Sequence, residues 1–265
     1  SSPAGLAVDQ TAFTDFKGTH DPTNQWNKCV IDELTSTNYA QVDGNPVSRA
    51  KITKIGAFQS DFGHDVVIKS EEYPNIQSIN LNAFYSFPMK IEISGQFKYL
   101  ETIGESAFHG AGTADSAITF TNGLPNLTQI DTHAFSSFKG TLAISGQFDK
   151  LETIGLEAFQ YASNTSSITF TGLPLLETIE AYTFNNFEGK IHFTGNYPLL
   201  ESIGQWAFKD AGHGYNGVSK VDFDCKFADL TVDPTAFDNF NGETNLDQDN
   251  LSSVPPCSDT TTEGP

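Results

Sequence analysis

Apolar residues recur along this chain at fixed places. The clearest unit is Leu151-Glu152-Thr153-Ile154-Gly155-Leu156-Glu157-Ala158-Phe159, with Leu, Ile, Ala and Phe as its apolar positions. The same order runs from Leu100 to Phe108, Leu127 to Phe135, Leu176 to Phe184 and Leu200 to Phe208, with weaker copies from Ile76 to Phe84 and Leu230 to Phe237. Between the units stand the triplets Ile91-Glu92-Ile93, Ile118-Thr119-Phe120, Leu142-Ala143-Ile144, Ile168-Thr169-Phe170, Ile191-His192-Phe193 and Val221-Asp222-Phe223. Alternation with β-branched and aromatic residues predicts short strands whose outer two residues face in and whose middle residue faces out. The L-x-x-I segment predicts a second extended side, and the Phe a corner.

The corner residues Phe58, Phe84, Phe108, Phe135, Phe159, Phe184, Phe208 and Phe237 recur about every 25 residues. That period belongs to stacked solenoid coils of the leucine-rich-repeat length, about 20–29 residues. A double period sits above it. Phe13, Phe84, Phe135, Phe184 and Phe237 each have a second Phe three residues on (Phe16, Phe87, Phe138, Phe187, Phe240), while the intervening coils run into Gly- or Ser-rich loops. The Phe-x-x-Phe spacing suits one turn of 3₁₀ or α helix with both rings turned inward. A single coil cannot bury its apolar face, so stability rests on coil-to-coil contacts, each buried ring contributing about 2–3 kcal/mol.

These elements predict a mainly β leucine-rich-repeat solenoid of about eight coils of 24–27 residues, in alternating short and long pairs. Residues 1–48 read as an N-terminal cap with one partial repeat and an insertion, 49–240 as the solenoid, and 241–265 as a C-terminal cap with a Pro/Ser/Thr-rich tail. Solenoid ends expose their apolar layer, so capping units depart from the repeat.

Composition narrows the function classes. The net charge is -19 with only 14 Lys and Arg among 265 residues, which opposes nucleic acid and anionic membranes. No apolar run approaches the roughly 18 residues of a membrane span. The chain starts at Ser1 rather than Met, which reads as a processed or trimmed chain, a signal peptide being one candidate for the absent segment. Sequons at Asn126, Asn164 and Asn250 agree with an extracellular or cell-surface site. Cys225 and Cys257 lie close at one end and are expected to pair. Cys29 sits at the far end of the rod, so three fates stay open: a buried free thiol, a bond to a neighbouring chain, or a partner lost by trimming.

The L-x-x-I-G-x-x-A-F unit, with its aliphatic strand and alternating coils, resembles the BspA-type leucine-rich repeat family over about residues 50 to 240. The resemblance implies a right-handed solenoid on secreted or cell-surface proteins, and adhesion or protein binding without catalysis.

The middle strand residues Glu92, Thr119, Ala143, Thr169, His192 and Asp222 are expected to form one outward column, the candidate binding face. Thr119 and Thr169 alone are too few for a flat ice-binding array. Glu101, Glu152, Glu177 and Glu201 share a repeat position, where stacked carboxylates repel unless they splay into solvent or hold calcium. No calcium-loop motif supports the latter, so no cofactor is expected and calcium is the only one the sequence offers. No H-E-x-x-H, G-x-S-x-G or phosphate-binding loop is present, so no catalytic residues are assigned. Two functions follow: a non-enzymatic scaffold for adhesion or recognition through protein or glycan contacts, and a structural glycoprotein stacking end to end into a filament. Charged, folded-over ends favour the first, and an uncapped apolar last coil the second.

Overall fold

The computed structural model describes residues 32–43, 45–163, 165–213, 218–247 and 251–257. Two parallel sheets run through the described residues, from Glu33 to Thr244. One is built from nine two-residue rungs: β1 (Glu33–Leu34), β2 (Lys54–Ile55), β4 (Ser78–Ile79), β6 (Thr102–Ile103), β8 (Gln129–Ile130), β10 (Thr153–Ile154), β12 (Thr178–Ile179), β14 (Ser202–Ile203) and β16 (Thr231–Val232). The other has eight longer strands: β3 (Val66–Lys69), β5 (Ile91–Ser94), β7 (Ala117–Phe120), β9 (Thr141–Ile144), β11 (Ser167–Thr171), β13 (Lys190–Tyr197), β15 (Ser219–Lys226) and β17 (Gly242–Thr244). From β2 onward strands alternate between the sheets, so each pass is one coil of a solenoid, about nine among the described residues. The first rung, β1, lies inside the stretch read as a cap, and the last strand, β17, lies beyond residue 240.

Both sheets obey the period-two pattern. In β5, Ile91 and Ile93 are buried while Glu92 and Ser94 are half-buried, and β7, β9 and β11 repeat the alternation. In the short rungs the Ile is buried and the residue before it is half-exposed. The core is the seam between the sheets, and it is continuous from Leu34 to Val254.

The corners differ from the helical turn the Phe spacing predicts. Around Phe84, three overlapping turns close by the Ala83 N–H to Asn80 O, Tyr85 N–H to Asn82 O and Phe87 N–H to Phe84 O hydrogen bonds. The alternate N–H groups, of Asn82, Phe84 and Ser86, donate instead to Glu105, Ala107 and His109 of the next coil. This requires left-handed backbone two residues before and after the Phe. Asn82 (φ 55°) and Ser86 (φ 51°) adopt it, as do His133 and Ser137, Glu157 and Tyr161, Tyr182 and Asn186, and Trp206 and Asp210. A helix would spend these N–H groups inside the coil and leave the next coil's carbonyls unmatched. The left-handed region costs a non-Gly residue roughly 1–2 kcal/mol, and the bonds between coils offset it.

The eight corner rings stack face to face. Their centroids are 4.7–5.3 Å apart, close to the strand spacing that imposes the distance. Three residues on, the chain alternates large and small: Phe87, Ala111, Phe138, Ala162, Phe187, Ala211 and Phe240. The Phe138 ring leans back edge-on to Phe108, 6.2 Å away, over the space left by Ala111. Phe87 and Phe240 meet Phe58 and Phe208 in the same way, so these large rings fill their own coil and part of the preceding one, which is the physical basis of the double period. The long coils add a buried Ser: Ser116, Ser166 and Ser219 accept from the N–H of Ile91, Leu142 and Ile191 in the coil before. The repeat Gly has its own reason. A Cβ at Gly155 would stand 2.7 Å from the Thr132 N of the preceding coil.

The described part of each end is folded over. At the N-terminal end, α1 (Tyr39–Asp43) and α2 (Pro46–Arg49) lie across the first coils, and Asn45 caps α2 by accepting from the N–H of Val47 and Ser48. The Tyr39 hydroxyl accepts from the Val67 N–H and donates to the Val67 carbonyl, occupying the edge of β3. Arg49 ties the cap down through Asp43 (2.9 Å) and Glu72 (3.1 Å), above the Tyr73 ring. At the other end, the edge of β15 is covered three times. β17 pairs with its first half, and the Asn245 amide bonds both the N–H and the carbonyl of Phe223. Residues 255–257 then pair with Lys226, held by a Cys225–Cys257 disulfide.

Candidate binding surfaces

The eight-stranded sheet presents Glu92, Thr119, Ala143, Thr169, His192 and Asp222 half-exposed between buried neighbours. They do not form one column. Thr119 pairs with Ala143, and Thr169 with His192, but Glu92 pairs with Ala117 and Asp222 with Thr194. One true row is Lys69, Ser94, Thr119, Ala143, Ser167 and Lys190, and another is Thr169, His192, Lys220 and Glu243. The cause is the longer path from corner to strand in every second coil, as from Phe108 to Ile118 compared with Phe84 to Ile91. It slides the register by two residues, the smallest step that keeps the apolar set inward. Both acids in the set face a lysine two residues earlier on their own strand, Lys90–Glu92 at 3.2 Å and Lys220–Asp222 at 2.8 Å. The Asp222 carboxylate holds the Lys220 ammonium above its ordinary range. His192 Nε2 donates to the Val218 carbonyl. This face is a staggered mosaic of small polar residues and internally paired charges.

The glutamate column lies beside the nine-stranded sheet. The N–H of Glu177 bonds the Glu152 carbonyl and that of Glu201 the Glu177 carbonyl, so these three occupy consecutive coils with their side chains exposed. Glu101 is separated from Glu152 by Thr128. Among the described residues, no group of three or more His, Cys, Asp or Glu has the geometry to hold a metal ion. Asn126 donates from its side chain to the Lys98 carbonyl at 2.6 Å, and Asn75 does the same to Ala50 at 2.7 Å. This sequon residue so has a structural bond between coils. Asn164, Asn250 and Cys29 lie outside the described residues.

The corner face carries chemistry that the triplets and motifs do not announce. Tyr85 stacks on His109 (5.3 Å), His109 meets His133 edge-on (5.8 Å), and His133 Nε2 contacts Glu157 Oε2 at 3.0 Å. Burial, with the neighbouring His133, holds the His109 imidazole below its ordinary range, against the opposing pull of Glu157. His109 Nδ1 is buried with no hydrogen-bond partner among the described residues. Further along, Tyr182 meets Trp206 edge-on, and the Lys209 ammonium sits 4.3 Å from the centre of the Trp206 ring. The signal for this row is the left-handed position two residues before the corner Phe and the residue one after it.

On the other flank of the same corners lies a cleft of about 410 Å³ lined by Tyr161, Asn186, Glu188, Asp210, His213 and Asn239. Four of these six are the left-handed residues two after Phe159, Phe184, Phe208 and Phe237. Consecutive coils therefore stack them in one line. Behind them the buried Asn185 amide accepts from Gln160 and Asn186 and donates to the Lys209 carbonyl.

Paired parallel ladders, an aromatic spine and outer faces built from one position per coil define a parallel β-solenoid repeat scaffold. The family model for the BspA type leucine rich repeat region matches in six copies over residues 77–213. The chain belongs to that family. No curated protein and no solved structure gives a match. No helix among the described residues is long and apolar enough to cross a membrane.

Proposed function

We propose that this chain is a non-enzymatic extracellular or cell-surface scaffold, used for adhesion or recognition through protein or glycan contacts on its outer faces. The family suggests a repeat scaffold for protein binding. The observation that carries the finer reading is the covering of both edges of the eight-stranded sheet, with open lateral faces between them. The edge of β15 is covered by β17, by Asn245 and by the disulfide-held 255–257 segment, and the edge of β3 by Tyr39. Such edges resist strand addition, while the corner and sheet faces stay accessible along the rod. The acidic surface and the disulfide suit an oxidising exterior.

The filament reading keeps one observation of its own. The Phe237 and Asn239 N–H groups at the last corner have no acceptor among the described residues, so they point a hydrogen-bonding set out of the C-terminal end. One experiment separates the two. Native mass is measured by light scattering with and without reductant, and beads coated with the chain are counted on collagen, fibronectin, laminin and mixed-glycan surfaces. A single species near 28.8 kDa plus any glycan, with saturable capture on one surface, supports the scaffold. Long species shortened by reductant would move the function to assembly, and a monomer captured nowhere would refute adhesion.

A further inference from the structure

We infer that the corner cleft receives a cationic side chain, the guanidinium or ammonium of a basic segment on a protein partner. This rests on the protein-binding reading above and names the chemistry of one of its sites. The cleft spans four consecutive coils, from Tyr161 to Asn239.

Hydrogen-bond accounting sets the ligand's charge. The Asn239 amide spends a donor on Asp210 Oδ1 at 2.6 Å, and the Asn186 amide spends one on Asn185. His213 Nε2 lies 2.8 Å from the Asn239 carbonyl. A carbonyl oxygen only accepts, so Nε2 carries the hydrogen and Nδ1 of the neutral ring is an acceptor. What remains is the Glu188 carboxylate, the second Asp210 oxygen, ring and amide acceptors, the Tyr161 hydroxyl and one N–H on each of the Asn186 and Asn239 amides, so the only formal charges in the lining are negative. Among the described residues no Lys or Arg lines the cleft. The nearby Lys209 is committed to the face of Trp206.

Shape points the same way. Tyr161 is 56 % exposed at the cleft wall, although its left-handed backbone (φ 54°) is unfavourable for an aromatic residue. A flat ring beside two carboxylates suits a guanidinium, which stacks on aromatic faces and bonds carboxylates in its own plane. The net charge of -19 draws basic partners toward the whole chain, and the cleft gives that attraction a place to become specific. A neutral sugar could use the second N–H of the Asn186 and Asn239 amides, but it would leave both carboxylates without a counter-charge.

The test is an amide-resolved NMR titration of the full chain with the peptide acetyl-Gly-Arg-Gly-amide, and separately with chitotriose. Saturable shifts should centre on Tyr161, Asn186, Asp210 and Asn239. The double variant Glu188→Gln/Asp210→Asn should weaken peptide binding at least about fivefold, as expected when a close charge pair is removed. Tyr161→Ala keeps both carboxylates and should weaken it at least about threefold through loss of the cation–π contact. The charge-matched control Glu152→Gln/Glu177→Gln, on the nine-stranded side, should leave binding unchanged. Equal losses in the cleft and control variants would reduce the effect to diffuse attraction and overturn the proposal. An unaffected Tyr161→Ala, or chitotriose shifting the cleft amides while the peptide does not, would also overturn it. Bead capture on a protein surface that survives these failures would leave the scaffold reading standing and remove only this site.

Discussion

The alternation of Phe and Ala three residues after the corner ring makes a quantitative prediction. Phe138 is 1 % exposed, and its ring lies edge-on to Phe108 above Ala111. A Cβ added at Gly112 would already stand 3.1 Å from Phe138 Cε2, so the ring packs closely against the preceding coil's backbone there. A buried Phe removes about 200 Å² from water, which at about 25 cal/mol per Å² gives up to about 5 kcal/mol. Part of that area belongs to the Cβ and part is buried in the unfolded chain too, so Phe138→Ala should cost about 3–5 kcal/mol once the cavity is included. Ala111→Phe places a second ring in occupied space and should cost about 1–3 kcal/mol or more.

The two changes should couple strongly. In Ala111→Phe/Phe138→Ala, the ring moves to the neighbouring coil and fills the cavity the second change opens. The double variant should be at least about 2 kcal/mol more stable than the sum of the singles predicts, at the upper end of contact couplings. The assay is guanidinium unfolding followed by far-ultraviolet circular dichroism and by fluorescence. The two probes must coincide before a single free energy is used, because solenoids often unfold in parts. Additivity within about 0.5 kcal/mol, where independent sites fall, or a Phe138→Ala cost below about 1 kcal/mol, would refute shared filling as the origin of the double period.

Three further outcomes are expected. Ser166→Ala strips the buried Leu142 N–H of its acceptor and should cost about 1–3 kcal/mol, whereas Ser163→Ala, beside it on the surface, should stay within about 0.5 kcal/mol. Equal effects would mean the buried hydroxyl is incidental. His109 is held below its ordinary value of 6.5 in the folded chain, so the unfolded chain takes up that proton first as pH falls. Stability should drop as pH descends through 6.5 toward the folded value and level off below it, and His109→Gln should flatten part of that slope in unfolding midpoints taken between pH 7.5 and 5. An unchanged slope would locate the dependence elsewhere. Cys257→Ser opens a loop of 32 residues and should cost about 3–4 kcal/mol by loop-closure entropy. Hydrogen exchange should quicken first at Lys226 and Cys257, whose bridge the disulfide holds, and uniform loss along the rod would contradict a locally pinned cap.

The buried ladders were readable from the chain because one residue type returns at one spacing. Ile and Phe keep their places in every coil, and period two assigns their facing without knowledge of neighbours. Register is a different matter. Ile91-Glu92-Ile93 and Ile118-Thr119-Phe120 look interchangeable, yet Ile93 pairs with Ile118. Parity alone is blind to a two-residue slide, so aligning the triplets put Glu92 and Thr119 in one column when they stand in different rows. The corner was misread for a related reason. Phe-x-x-Phe fits a helical turn locally, but Tyr161 and Tyr182 take left-handed backbone they would avoid alone, because the next coil's carbonyls accept their N–H groups. That demand is non-local and leaves no mark on any one coil. The cleft follows from the same geometry. Its line of Tyr161, Asn186, Asp210 and Asn239 shares a backbone position rather than a residue type, so a search for repeated chemistry passes over it. In this scaffold, sequence identity between coils marks the packed seam. Under the reading proposed above, a partner is read where residues differ at a shared backbone position, and the left-handed positions two residues before and two after each corner Phe are the place to look for it.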